Sequence, residues 1–429
     1  YLGNSQLSIN TLDRYADQLQ QWRGALTSDA EILLYGCDVA QQETQKPHPY
    51  FNLTDQSAFT HSLISPFIQK IQHLTGAKIA ASSTKIGSEK LGGNWQLDIQ
   101  TDQILSPLAF TESIRESYAG VLATFTVTNA NDAGAGSLRE AIDLANANPD
   151  ADIIEFDPTV FNTPQTIQLA SQLNLDDING KNLTINGPVA NNLIIQGIGN
   201  GSVFRVNTRQ PETVVRISGL TIQNAGTGIQ YGSGQGKLEI DSSTIANNNI
   251  GIVSRSQLEL TNSTLQNNRT RGISLSGSNS LIEGNTFITT PPAQQQRNGI
   301  YVFTQDNSTE LTSNVQIIGN FIGTDADGTP GLGHRDQGIE IARSIGTQVI
   351  GNVVSGNGIE GILVYDGSND TVIRGNLIGV APDGTTALPN NSDGILIRNT
   401  TGTIIGGVTP DDRNIISGNN GNGILLLTQ

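Results

Sequence analysis

Three groups of residues in this 429-residue chain have the types and spacing to do chemistry. The first is the single cysteine, Cys37, which follows the apolar run Glu31-Ile32-Leu33-Leu34-Tyr35. A thiol at the end of a buried strand becomes a nucleophile when an imidazole lies within reach. The histidines nearest in sequence are His48, His61 and His73, and none follows an apolar strand in a His-Gly context. A free cysteine is more often a small buried apolar residue. The second group is His334, Arg335, Asp336, Glu340 and Arg343, the densest mixture of imidazole, guanidinium and carboxylate in the chain. It could bind a polar ligand or transfer protons, although a solvated charged loop is the commoner reading of such a run. The third is Asp325-Ala326-Asp327-Gly328, with Asp366 and Asp370 further on. Alternate carboxylates closed by glycine match the start of a calcium loop, so Asp325 and Asp327 are candidate calcium ligands. The downstream glutamate of a helical calcium loop is missing, and Asp-Gly is also an ordinary turn.

Composition limits what these groups can serve. The formal charge of −16 argues against nucleic acid and against an anionic membrane surface, both of which call for a basic face. One cysteine allows no internal disulfide framework. No apolar run is long enough to span a bilayer. With 48 glycines, no methionine and 5% aromatics, the chain fits a repetitive β protein with aliphatic strands and polar turns. The absence of methionine argues against Tyr1 as a translation start. Together with the apolar run Ile424–Leu427, this leads to the expectation that the chain is a piece of a longer protein whose last repeat continues past Gln429.

The elements that must position the candidates fall into three segments. Residues 1–122 alternate helices with buried strands and predict a three-layer α/β domain with a mainly parallel sheet. Helical spacing joins Leu12, Tyr15, Leu19, Trp22 and Leu26. A second helix is expected over 57–75, kinked at Pro66 and stopped by Gly76. Strands are expected at 31–39, 78–82 and 94–99. Residues 123–152 hold a leading strand and then Ser137-Leu138-Arg139-Glu140, a capping box that opens an amphipathic helix suited to closing the end of a solenoid. Residues 153–429 repeat themselves. Gly-Ile pairs begin at 251, 272, 299, 338, 361, 394 and 423, at spacings of 21 to 39 residues. Gly-Asn pairs begin at 284, 319, 351 and 375. Glycine is expected to allow tight corners, and asparagine to bond to the asparagine of the next repeat.

The repeats and the segment Thr126–Asn146 resemble the pectin-lyase-like right-handed parallel β-helix superfamily, including bacterial surface and adhesin-like members. That fold hosts lyases, hydrolases, adhesins and inert stalks. Enzymatic members imply a cation site with a basic residue, or carboxylates on neighbouring rungs; the glycosidase pattern of the superfamily is absent here. The segments Leu33–Ala40, Leu74–Ser82 and Leu91–Leu97 resemble an uncharacterised domain of large bacterial surface proteins with caspase-like features. That likeness implies a Cys37 nucleophile whose His-Gly partner lies before the segment matching Tyr1–Gly3, outside this chain. The resulting expectation is an extracellular or cell-surface scaffold for adhesion, matrix or filament formation. Its partners would be further copies, other surface proteins or a polysaccharide. The alternative is an enzyme: a polysaccharide lyase or hydrolase, or a self-processing cysteine peptidase.

Overall fold

The computed structural model describes residues 16–27, 29–35, 65–84, 86–87, 94–112, 115, 123–148, 151–176, 181–188, 190, 192–290, 296–306 and 308–427. The chain divides into two compact units, Tyr1–Thr124 and Phe125–Gln429.

In the first unit, strand β1 (Glu31–Leu34) pairs in parallel with β2 (Lys78–Ala81), Glu31 opposite Lys78. The short β3 (Ile99–Gln100) pairs antiparallel with β2. It starts where the expected third strand would end; Asn94 makes only an isolated bridge to Ile86. Helix α1 (Ala16–Ala25) and helix α2 (Pro66–Thr75) supply Leu19, Ile68, Ile71 and Leu74 to a core shared with Ile79 and Ala81. The kink expected at Pro66 does not arise. Pro66 opens α2 just after its cap, Ser65, whose Oγ accepts from the Ile68 amide. A proline costs nothing there, because first-turn amides have no helical partner. Gly76 stops α2 at φ 71°, as its position in the sequence predicts.

The second unit is a coil of parallel strands in three long sheets, with a further two-stranded pair of Thr312–Ser313 and Ser344–Ile345. Sheet I has ten strands, from Leu173–Asp176 to Ile424–Leu427. Sheet II has eleven, from β4 (Ala123–Val127) to Ile404–Ile405. Sheet III has ten, from Gln165–Gln168 to Ile415–Ile416. Each turn visits II, III and I in that order. Register is strict: Phe204, Ile229, Ile252, Ile273, Ile300, Ile339, Ile362 and Ile395 form one inward column, all fully buried. Side-chain alternation puts every second residue of a strand inside. Helix α3 (Leu138–Ala147) caps the coil, and Leu138, Ala141, Ile142 and Ala145 join the same core. Ser137 Oγ accepts from the Glu140 amide, and Glu140 Oε2 accepts from the Gly136 amide.

In the later turns of the coil two corners are lined by stacked side chains, most of them amides. Between sheets II and III, Gly284, Gly319, Gly351 and Gly375 adopt φ of 61–67°, which suits glycine. The residue after each is a buried asparagine. Asn285 Nδ2 donates to Asn320 Oδ1, Asn320 to Asn352, Asn352 to Asn376 and Asn376 to Asn414, at 2.9–3.0 Å. Between sheets III and I a second stack links Asn248 to Asn268 at 3.1 Å, Asn357 to Asn390 at 2.9 Å and Asn390 to Asn419 at 2.8 Å.

The Gly-Ile glycines have a different role from the one expected. Gly251, Gly272, Gly299, Gly338, Gly361 and Gly394 have no positive φ. Each backs against the second stack instead. A Cβ on Gly361 would lie 2.7 Å from the Gly394 carbonyl and 2.9 Å from Asn390 Nδ2. These glycines are required by close approach, not by turn geometry.

Candidate functional site: the outer face of sheet I

Residues that alternate with the inward column project from the outer face of sheet I. In register there stand Ser274, Tyr301, Glu340 and Leu363, flanked on their strands by Arg271, Asn298, Phe303, Tyr365 and Arg398. Tyr301 and Phe303 stack with centroids 4.8 Å apart and planes 3° from parallel. The Arg271 guanidinium lies 4.0 Å from the Tyr301 ring centroid, and that of Arg398 lies 5.3 Å from the Tyr365 ring. Such contacts hold a cation and a ring in fixed relation.

Glu340 ties three turns together. Its Oε1 accepts from the Tyr365 hydroxyl at 2.7 Å, and its Oε2 accepts from Asn298 Nδ2 at 3.1 Å. Asn298 also donates to Gln337 Oε1, and Gln337 Nε2 donates to Glu360 Oε2, both at 2.9 Å. Burial first, then the hydrogen bond to Glu340 and its charge, push the Tyr365 phenol far above its ordinary pKa. Burial and the same charge raise Tyr301, against the opposing pull of Arg271. Both phenols are therefore protonated at neutral pH, and Tyr365 donates to Glu340.

The five residues grouped from sequence do not form one site. Glu340 is central to the face just described. Arg343 lies at a corner, at φ 52°, and pairs with the exposed Asp306 at 2.8 Å. Asp336 bridges Arg297 at 2.8 Å and Arg335 at 3.1 Å. Burial pushes its carboxyl up, but the hydrogen bonds and charges of the two arginines outweigh this and leave it below the ordinary range. His334 is fully buried in the second amide stack. Tyr301, Phe303, Tyr365 and Arg271 carry the face and were not singled out from sequence. The available signal was aromatic residues at outward positions on neighbouring Gly-Ile strands.

The candidate calcium pair sits in a turn that uses its carboxylate internally. Asp325 Oδ1 accepts from the amides of Asp327 at 3.2 Å and Thr329 at 2.9 Å. Among the described residues, no group of three or more His, Cys, Asp or Glu side chains gathers to hold a metal. Asp366 and Asp370 occupy corner positions at φ 52° and 55°. Cys37, His48 and His61 lie outside the described residues, and His73 is in the last turn of α2. No described helix is long and apolar enough to cross a membrane.

The second unit is thus a right-handed parallel β-helix. Residues 179–378 match the family described as "Right handed beta helix region", and residues 1–47 and 62–122 match a "Domain of unknown function (DUF4347)". Comparison with curated proteins found no match. Solved structures similar to the chain include the A-module of mannuronan C-5 epimerase AlgE6 from Azotobacter vinelandii, at 18% identity over 70% of this chain and 79% of that one, with a TM-score of 0.49. The Streptococcus pneumoniae surface adhesin PfbA is 10% identical over 70% of this chain and 91% of its own, with a TM-score of 0.35. Pectate lyase Bsp165PelA from Bacillus sp. N165 is 12% identical over 72% and 82%, with a TM-score of 0.32.

Proposed function

We propose that the chain belongs to an extracellular, cell-surface scaffold that holds a polysaccharide against the outer face of sheet I. The observation that carries this reading is the Arg271–Tyr301–Phe303 stack beside the Glu340–Tyr365–Asn298 bonds. A row of ordered rings, guanidiniums and hydroxyl partners on a rigid sheet suits hydroxyl-rich, flat-faced sugars. The overall charge of −16 favours a neutral glycan over a polyanion. Both oxygens of Glu340 are held by partners on neighbouring turns, which fixes the carboxylate as part of a rigid binding face. The stacked rungs supply length and stiffness. Further copies or other surface proteins would be neighbours in the same matrix.

The test is affinity electrophoresis of the purified chain through gels containing soluble neutral and acidic polysaccharides. Retardation by a neutral glycan, lost in Tyr301→Ala, is the expected result. Equal mobility of wild type and Tyr301→Ala in every gel would end the reading. Release of reducing ends or unsaturated products would replace it with an enzymatic one.

A further inference from the structure

The second amide stack contains one member that is not an amide. Along that corner the sequence places Asn248, Asn268, Gln296, His334, Asn357, Asn390 and Asn419 on successive turns. His334 is 1% exposed, and among the described residues neither of its ring nitrogens has a hydrogen-bond partner. On one side, Gln296 turns its Nε2 back to the Asn298 carbonyl at 2.9 Å. On the other, only the His334 backbone amide reaches Asn357 Oδ1, at 3.3 Å. The imidazole is pressed against Gly299, where a Cβ would lie 2.8 Å from Nε2.

We propose that His334 makes the coil acid-labile at this one turn: protonating its imidazole breaks the packing against Gly299 and opens the strand that carries Asn298 and Tyr301. Gly299 packs against the ring, and Gln296 and Asn357 are its neighbours along the stack. The charged neighbours on its own loop, Arg335 and Asp336, are paired with each other and with Arg297 at the surface. Among the described residues no carboxylate is hydrogen-bonded to the ring to receive an imidazolium. Both ring nitrogens of an imidazolium are donors, so two buried N–H groups would be left without acceptors.

Burial alone drops the pKa of His334 from its ordinary 6.5 to about 3 in the closed coil. The open form therefore binds more protons between these limits. Stability at this turn is complete above pH 6.5 and is lost as pH falls towards 3. At a pH two units below the ordinary value, opening is favoured about a hundredfold more than at neutral pH.

Hydrogen exchange by mass spectrometry on the whole chain tests this. Protection factors for residues 296–301 and 334–341 are expected to fall at least tenfold between pH 7.5 and 4.5, while those for residues 237–275 hold. His334→Asn completes the stack with the residue found at its other positions, and it should remove the fall. His334→Gln, which copies the amide already present at Gln296 one turn earlier, serves as a second replacement. Unchanged protection at 296–301 in the wild type, or an equal fall in both replacements, overturns the proposal.

Discussion

The Tyr365 hydroxyl donates to Glu340 Oε1 at 2.7 Å across two neighbouring turns of the coil. The carboxylate charge adds to burial in holding that phenol protonated. Glu340→Gln removes the charge and keeps the shape. Alkaline difference spectra at the tyrosinate band should then show Tyr365, and with it Tyr301, ionising at lower pH than in wild type. Superimposable titrations would mean that the contact is not made in solution.

Asn352 donates to Asn376 Oδ1, the Ile317 carbonyl and the Ile350 carbonyl, and its own Oδ1 accepts from both the backbone and side chain of Asn320. Asn352→Ala strands several buried groups at once and should cost about 3 kcal/mol or more. The exposed Asn391→Ala should cost less than about 0.5 kcal/mol. Urea unfolding midpoints compare the two.

Gly361→Ala drives a methyl into the Gly394 carbonyl and the Asn390 amide. Gly201, which also lacks a positive φ, has nothing within 4 Å of a built Cβ. The first substitution should lower the melting temperature by several degrees, and the second should leave it level or slightly raised. Similar shifts for both would show that the Gly-Ile glycines are not packing glycines.

Ser137 caps α3 and is fully buried. Ser137→Ala should destabilise the capped end by about 1 kcal/mol. Exchange of the amides of residues 138–142 should quicken more than exchange in sheet I at the far turns.

Much of the coil was legible because its constraints repeat. Gly-Asn announces a left-handed residue followed by a stacking amide, and both are found. Gly-Ile was also visible, but its cause was not, since the clash that requires it comes from a residue one whole turn away in space. The same distance hid the outer face of sheet I. Tyr301, Glu340 and Tyr365 are far apart in the chain and meet only through the strand register. Proximity in sequence misled in turn: His334, Asp336, Glu340 and Arg343 are near neighbours along the chain, yet they occupy an interior stack, a surface ion pair, an outer face and a corner. The Pro66 kink failed because proline at a helix start and proline within a helix look alike until the cap is located.

The first amide stack keeps its 2.9–3.0 Å geometry although its successive members are 35, 32, 24 and 38 residues apart in the chain. The corners therefore act as a fixed gauge while the stretches between them are free to change length. Insertions at the exposed turns around 325–331 or 382–386 leave the gauge untouched, whereas losing one residue between Ile350 and Val353 puts every later strand out of step. Such a molecule can acquire new surface by splicing into its loops, and it can gain or lose length only in whole turns.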